Sequence, residues 1–500
     1  MQTSKRFKHD LSNKFAGTCK LGELIPVNLT EVLPGDSFLS ATTALIRLMP
    51  MLAPQLTKLN AYIAHYYVPS RLLWNDWEDF ITGGESGTAA PTLPTINLGT
   101  VAKGSLADYL GIPVGVANTT VNAMPFRAYA LIWNEYYCDK DINADLVVST
   151  AAGADTTTST VLKRVNWSRD FFTSAKPFEQ RGTAVSMPLG TSAPIDGLFY
   201  DTTGAVPFNG TNDMRRQRDG VLDTANTKDQ AGGSILHGGV GYGNVTADLS
   251  AASSATVKEL REAFAMQKFM ERQAMFGGKY SEFLAQMGIV SLDARLQKPE
   301  YLAGGQSPIQ VSEVLQAGTD YNANTGVGTM RGHGIGGVKS NHYKRFFPEH
   351  GYVLTVMFIR PESHYMDGLD RMWSRTTRDD FYDRDLASIG TQAVLNKEVY
   401  LAHSAPTGTH GYNWRYYDYM QKRNVIAADF RDSVMNHWHL GRDFSGDTAL
   451  NASFVECDPG ARIFADQTND HVVLLARNSI IARRIVIPPA MFVRQSGTFF

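Results

Sequence analysis

Cysteine is scarce: three in 500 residues, Cys19, Cys138 and Cys457, far apart and odd in number. Such spacing builds no disulfide framework, fits a reducing compartment, and holds no zinc-type pairing. Net charge is also scarce. Lys plus Arg total 47 against 49 Asp plus Glu, a formal charge of −2. A protein that coats nucleic acid unaided is usually strongly basic, so any nucleic-acid contact must be local or assisted by a basic partner. No apolar run approaches the length that spans a bilayer. The opening Met-Gln-Thr-Ser-Lys-Arg has none of the apolar stretch that export signals use, which predicts no secretion. Catalytic constellations are missing too. No nucleophile–base–orienter set and no carboxylate pair stands at a recognisable spacing, so the reading is a non-enzyme without cofactor or metal.

What is present is short, β-rich and widely spaced. Residues 24–33 read as a strand that ends at Pro34-Gly35-Asp36, a turn in which Pro sets φ and Gly permits positive φ. Residues 38–48 and 61–68 read as further strands. Residues 352–359 are continuously apolar, which predicts a strand buried on both faces. Residues 472–476 and 480–487 flank Arg477-Asn478-Ser479 and read as a terminal hairpin. No regular βαβ alternation appears, so a doubly wound parallel sheet is excluded.

Helices are few. Phe126, Tyr129, Ala130, Trp133, Tyr136 and Tyr137 recur at spacings of three and four, one helical face. Thr256 followed by Glu259 is a capping-box signature before a helix that Gly277-Gly278 ends. A second short helix carries Tyr280, Phe283, Leu284 and Met287. After it, residues 288–308 lack periodicity, and Pro299, Gly304, Gly305 and Pro308 predict a fixed, irregular path. Residues 83–104, 149–160, 191–255 and 316–342 read as long polar loops. Structureless connections of that length are uncommon in a compact monomer. The expectation is a β-sandwich whose loops are ordered by contacts with other copies of the chain.

Several clusters need weighing. The first twenty residues hold Lys5, Arg6, Lys8 and Lys14 against a single Asp10. They read as a solvated basic arm, or as an inner arm that touches phosphate or a neighbouring subunit. Arg371, Arg375 and Arg378 surround Trp373 and precede four aspartates. A solvated ion-paired face is one reading; an intersubunit network is preferred, because Trp is costly to leave exposed. Tyr412, Trp414, Tyr416, Tyr417 and Tyr419 read as an aromatic strand at a core or interface, with base stacking as the alternative. Arg215, Arg216 and Arg218 sit in the 191–255 stretch, as a solvated loop or a host contact. Gly332-x-Gly334-x-x-Gly337 lacks the strand and helix that a dinucleotide fingerprint needs and reads as a mobile glycine-rich loop. His437 and His439 place two imidazoles on one face of a strand without a third ligand, so they read as structural.

Five segments, in order, resemble one family. They are F-R-A-Y-A-L-I-W-N-E-Y-Y-C-D-K-D (126–141), R-D-F-F-T-S-A-K-P-F-E-Q-R-G-T-A-V-S-M-P-L-G (169–190), E-H-G-Y-V (349–353), R-M-W-S-R-T-T-R (371–378) and Q-A-V-L-N-K-E (392–398). The chain resembles the major capsid protein of the Microviridae, small icosahedral single-stranded DNA phages, and most closely the gokushovirus branch. That resemblance implies an eight-stranded antiparallel jelly-roll β-sandwich with long inter-strand insertions and a few helices. It implies a basic arm at 1–20 and one capsid domain over 21–500, with 191–255 as a surface insertion forming a threefold protrusion that faces the host. It implies self-assembly into the smallest icosahedral shell, assembled in the bacterial cytoplasm around circular single-stranded DNA. The partners so implied are other copies of the chain, the DNA, a small basic internal DNA-binding protein and a host receptor. A secreted β-sandwich adhesin or lectin is the alternative.

Overall fold

The computed structural model describes residues 5–85, 87–185, 257–277, 279–315 and 330–487, and the backbone of six two-residue strands between 195 and 247. Two compact units emerge, residues 182–270 and the remainder. In the smaller unit, Phe199–Tyr200 pairs with Val206–Pro207, Gln217–Arg218 with Val221–Leu222, and Ile195–Asp196 with Thr246–Ala247.

Ten strands build the main sheet of the larger unit: β1 (Phe7–Asp10), β2 (Asn13–Cys19), β3 (Ile25–Val32), β4 (Ser37–Leu48), β5 (Leu59–Pro69), β6 (Glu300–Leu315), β7 (Met330–Lys339), β8 (Tyr343–Phe346), β9 (Gly351–Pro361) and β10 (Val472–Arg484). Their ladders are antiparallel. β1 and β2 lie end to end along β10, and β7 and β8 end to end along β4. Ten strands therefore occupy eight lanes, in the order β1/β2, β10, β4, β7/β8, β6, β5, β9, β3. β6 serves two sheets. Through Ile309 it pairs with β5, and from Gln310 onward it pairs with β7. The sheet thus curls into a sandwich, the mainly β jelly-roll architecture expected.

The alternation of each strand explains which face is filled. In β4, Ala44, Ile46 and Leu48 point inward, and in β10 Val472, Leu474 and Ala476 do the same. They meet Leu59, Ala61 and Ile63 of β5 and Met357 and Ile359 of β9 in one cluster. Each such side chain contributes about 1.5–3 kcal/mol on burial. β5 and β9 are buried on their other face as well. Ala64, Tyr66, Val68, Leu354, Val356 and Phe358 pack against helix α1 (Met124–Ile132) and its continuation through Trp133. This is the two-sided burial that the apolar run at 352–359 announced.

Between the apolar ends of the sandwich runs a polar layer. His65 bonds Thr355 Oγ1 and Ser340 Oγ, both at 2.9 Å. Ser340 Oγ accepts the amide of Thr42, whose hydroxyl donates to Asn478 Oδ1 at 2.7 Å. The Asn478 amide donates to Asn13 Oδ1 and to the Val27 carbonyl. Buried polar groups that satisfy one another fix register, because a slip would leave several unpaired. Burial lowers the His65 pKa from 6.5 to about 4. Unfolded chains therefore take up the proton first as pH falls. The stabilisation is complete above pH 6.5 and is lost between 6.5 and 4, about 3 kcal/mol over that window at about 1.4 kcal/mol per unit. Melting temperature should fall across this range, and His65→Gln should flatten that dependence.

Several expectations are corrected. The supposed terminal hairpin is one continuous strand, because Asn478 meets buried partners instead of turning. Residues 300–315 are not irregular; they are β6, with one bulge between Tyr301 and Ala303. Gly305 is required there by close approach, since a Cβ would stand 2.2 Å from the Lys339 carbonyl oxygen. The glycine-rich run at 332–337 is strand β7 and not a mobile loop. A Cβ on Gly332 would meet the Ala53 carbonyl oxygen at 2.4 Å. Backbone cannot yield as a side-chain tip does, so Gly305→Ala should cost about 1–3 kcal/mol or more, read as a lower denaturation midpoint. Residues 7–19 are not a free arm but two strands on β10, with Cys19 buried. Thr256 and residues 316–329 lie outside the described residues.

Candidate assembly and nucleic-acid surfaces

Loop 149–160 was expected to be ordered by other chains. Its own chain orders it. Arg127, on α1, is 1% exposed and its partner Asp155 0%. The Arg127 Nε donates to Asp155 Oδ2 at 2.9 Å, and its Nη groups donate to the carbonyls of Leu73 and Ala151, both at 2.9 Å. Asp155 also accepts the amides of Thr157 and Thr158 and the Thr158 hydroxyl. Burial alone would raise the Asp155 pKa, but these donors and Arg127 outweigh it and hold the carboxyl at about 2. The neighbouring segments Thr95–Asn97, Thr120–Asn122 and Ala154–Asp155 form a small sheet.

The arginine–tryptophan cluster divides. Arg371 pairs with Glu398 at 2.7 Å and lies over the Phe171 ring. Arg375 pairs with Asp418 and stacks 4.2 Å from the Tyr419 ring centroid. Both are neutralised within the chain. Trp373 is 71% exposed, with Met372, Phe381, Tyr382 and Arg378 exposed near it in sequence. Asp380 instead closes its own turn, accepting the amides of Thr376 and Thr377. The aromatic run at 412–419 is partly strand: Thr409–Trp414 pairs with Thr391–Leu395, and Tyr412 exchanges backbone hydrogen bonds with Lys176. Lys176 is itself held by Asp139 and Asp141.

The basic residues of the N-terminus take different places. Arg6 donates to the Gly35 carbonyl and to Ser37 and covers the Phe346 ring. Lys5 lies over Phe7. Lys8 and Lys14 are exposed on β1 and β2. The side chains of Arg215, Arg216 and Arg218 lie outside the described residues. His437 and His439 are not on a strand; a 3-10 turn spans Asn436–Trp438. His439 bonds the Phe430 carbonyl at 2.7 Å and accepts the Gly441 amide, which leaves neither ring nitrogen for a ligand. Among the described residues no group of three His, Cys, Asp or Glu side chains could hold a metal ion. All three cysteines are free and buried, and burial raises their pKa values, so the reactive thiolate is suppressed. Sequence reasoning missed the Arg127–Asp155 pair and the polar layer. The available signal was parity: Thr42 and Asn478 fall on the inward-pointing positions of apolar strands.

The described residues thus form an eight-lane jelly roll on a chain that leaves Trp373, Phe381 and Tyr382 exposed. The family described as "Capsid protein (F protein)" matches residues 1–490. The chain is 34% identical over 474 residues to "Capsid protein VP1" of Bdellovibrio phage phiMH2K, covering 91% of this chain and 88% of that protein. It is 30% identical over 536 residues to "Capsid protein VP1" of Chlamydia phage 1, covering 91% and 89%. To that of Spiroplasma virus 4 it is 27% identical over 491 residues, covering 91% and 88%. The chain belongs to the phage F capsid protein family, as the resemblance to the gokushovirus branch implied. Its role is structural, as a subunit of the virion shell, and the adhesin alternative finds no support in these relatives.

Proposed function

We propose that this chain is the repeating unit of a small icosahedral shell, one copy per equivalent position, closed around circular single-stranded DNA in the host cytoplasm. The observation that carries the reading is an excess of exposed apolar surface on a chain whose own core is already filled. Trp373 is 71% exposed, Phe381 56% and Tyr382 59%. Large exposed aromatics mark the anchor positions of protein interfaces. Trp373 and Arg378 are the intersubunit anchors in this reading, while Arg371 and Arg375 hold the segment in shape. Heterologous contacts whose rotation closes generate such shells.

The near-neutral chain charge leaves the bulk of the DNA charge to a small basic internal protein, with Lys5, Arg6, Lys8 and Lys14 as a local contribution. Residues 191–255, with Arg215, Arg216 and Arg218, are the host-facing insertion. The deciding experiment is expression of the full chain followed by sedimentation and electron microscopy. Pentamers or closed particles support the reading. A persistent, well-folded monomer at micromolar concentration overturns it.

A further inference from the structure

The two sheets of the sandwich have unequal outer faces. That of β5 and β9 is covered by α1 and the segments around it. On that of β10, β4 and β7 the outward positions are largely exposed and alternate with the buried ones. Register places the outward residues in rows. Lys14, Arg477, Thr43 and Lys339 form one row across β2, β10, β4 and β7. Ala16, Leu475, Leu45 and Gly337 form the next, and Thr18, Val473, Arg47 and Ile335 the one after. Toward the other end, Lys8 stands opposite Arg483.

Lys8, Lys14, Arg47, Lys339, Arg477 and Arg483 are all exposed, and among the described residues none of them enters an ion pair. The carboxylates near them are Asp10, opposite Ile481, and Asp470, which is bonded to Thr18 at the rim. A chain of net charge −2 thus gathers six cations on one sheet face, where Asp10 lies close enough to Lys8 and Arg477 to feel their charge. Neighbouring strands stand about 4.8 Å apart, so the rows form a close lattice. Like charges so spaced repel, and many copies lining one shell would multiply that repulsion unless a polyanion neutralised them.

The face is not purely ionic. Leu39, Leu45, Val473 and Leu475 are each 42–47% exposed between the cations. Paired bases stacked inside a duplex offer such ribs nothing, because a duplex presents mainly phosphate and sugar at its backbone. An unpaired strand brings base faces and phosphates to the same surface. The small residues Ala16, Gly337, Thr43 and Ser479 stand between the larger side chains of the face, and no aromatic residue stands in the three rows named above. Binding there is therefore independent of sequence.

We infer that this sheet face, with Arg47, Lys339 and Arg477 across its strands, Arg483 toward one end and Lys8 and Lys14 at its edge, is a single-stranded nucleic-acid-binding surface that lines the interior of the shell. The inference rests on the shell reading above. The test uses genome-filled particles, in which ultraviolet cross-linking is followed by peptide mapping. Cross-links should fall in residues 37–48, 330–346 and 472–484. In parallel, acylation of Lys14 and Lys339 should be blocked in intact particles and appear on dissociation. Cross-links confined to other segments, or both lysines acylated in intact particles, would overturn it. The quadruple variant Arg47→Gln, Lys339→Gln, Arg477→Gln and Arg483→Gln changes exposed side chains only, and its melting temperature checks folding. Its affinity for oligothymidylate should lose about 3 from the log–log salt slope, at about 0.7 per phosphate contact. An unchanged slope would also overturn the surface. Failure to form particles at all would instead count against the shell reading.

Discussion

Arg127→Ala should abolish soluble subunit and, with it, every particle. The substitution leaves the Asp155 carboxylate buried without its cation, and losing one partner of a buried pair costs about 3–5 kcal/mol. That is a large share of the roughly 5–15 kcal/mol that holds a typical folded domain. It also frees the Leu73 and Ala151 carbonyls that Arg127 satisfies. Soluble yield and thermal melting report the effect. Asp155→Asn, which keeps the shape and part of the turn bonding, should be milder than Asp155→Ala. The acid limb has a defined sign. The folded-state pKa of Asp155 is depressed from 3.8 to about 2, so its stabilisation is complete above about pH 4 and is lost as pH falls toward 2. Equal melting temperatures for wild type and Arg127→Ala at pH 7 would refute the assigned role.

The second large effect concerns assembly and follows from the proposed shell. Trp373→Ala should leave the melting temperature of the isolated subunit unchanged, because the side chain is 71% exposed in the single chain. Particle yield should collapse. An interface Trp anchor is worth about 2 kcal/mol or more per contact, and a closed shell repeats that loss at every equivalent interface. Sedimentation should then show subunits or small oligomers at concentrations that give wild-type particles. Arg375→Ala is the contrasting case. Arg375 pairs with Asp418 and stacks on Tyr419 inside the chain, so it should lower subunit stability before it touches assembly. Normal particles from Trp373→Ala would remove this residue from the interface.

Strand identity was legible wherever residues alternate or run apolar. Residues 38–48 and 352–359 were read correctly because burial, not local turn chemistry, dictates their pattern. The helix at 126–137 was legible from its aromatic spacing, although its last turn is a π-helix, Trp133–Tyr137. Misreadings occurred where glycine or polar residues sit inside strands. Gly304, Gly305 and the 332–337 run look like loop punctuation, yet Gly305 and Gly332 sit where other backbone passes too close for a Cβ, and Gly334 sits where the Leu48 side chain does. Arg477-Asn478-Ser479 looks like a turn, yet Asn478 is a core residue with partners on three other strands. Loop 149–160 looks unsupported, and its support is a buried arginine from a helix more than twenty residues earlier.

Residue order alone determined the β-rich class and membership of a capsid family, because these rest on composition, period and local motifs. Only the tertiary structure decided which glycines are strand residues, which arginines are neutralised at home, and that one sheet face is largely exposed and basic. Those depend on register and on contacts between residues far apart in the chain, and a linear pattern does not carry the distances that set them.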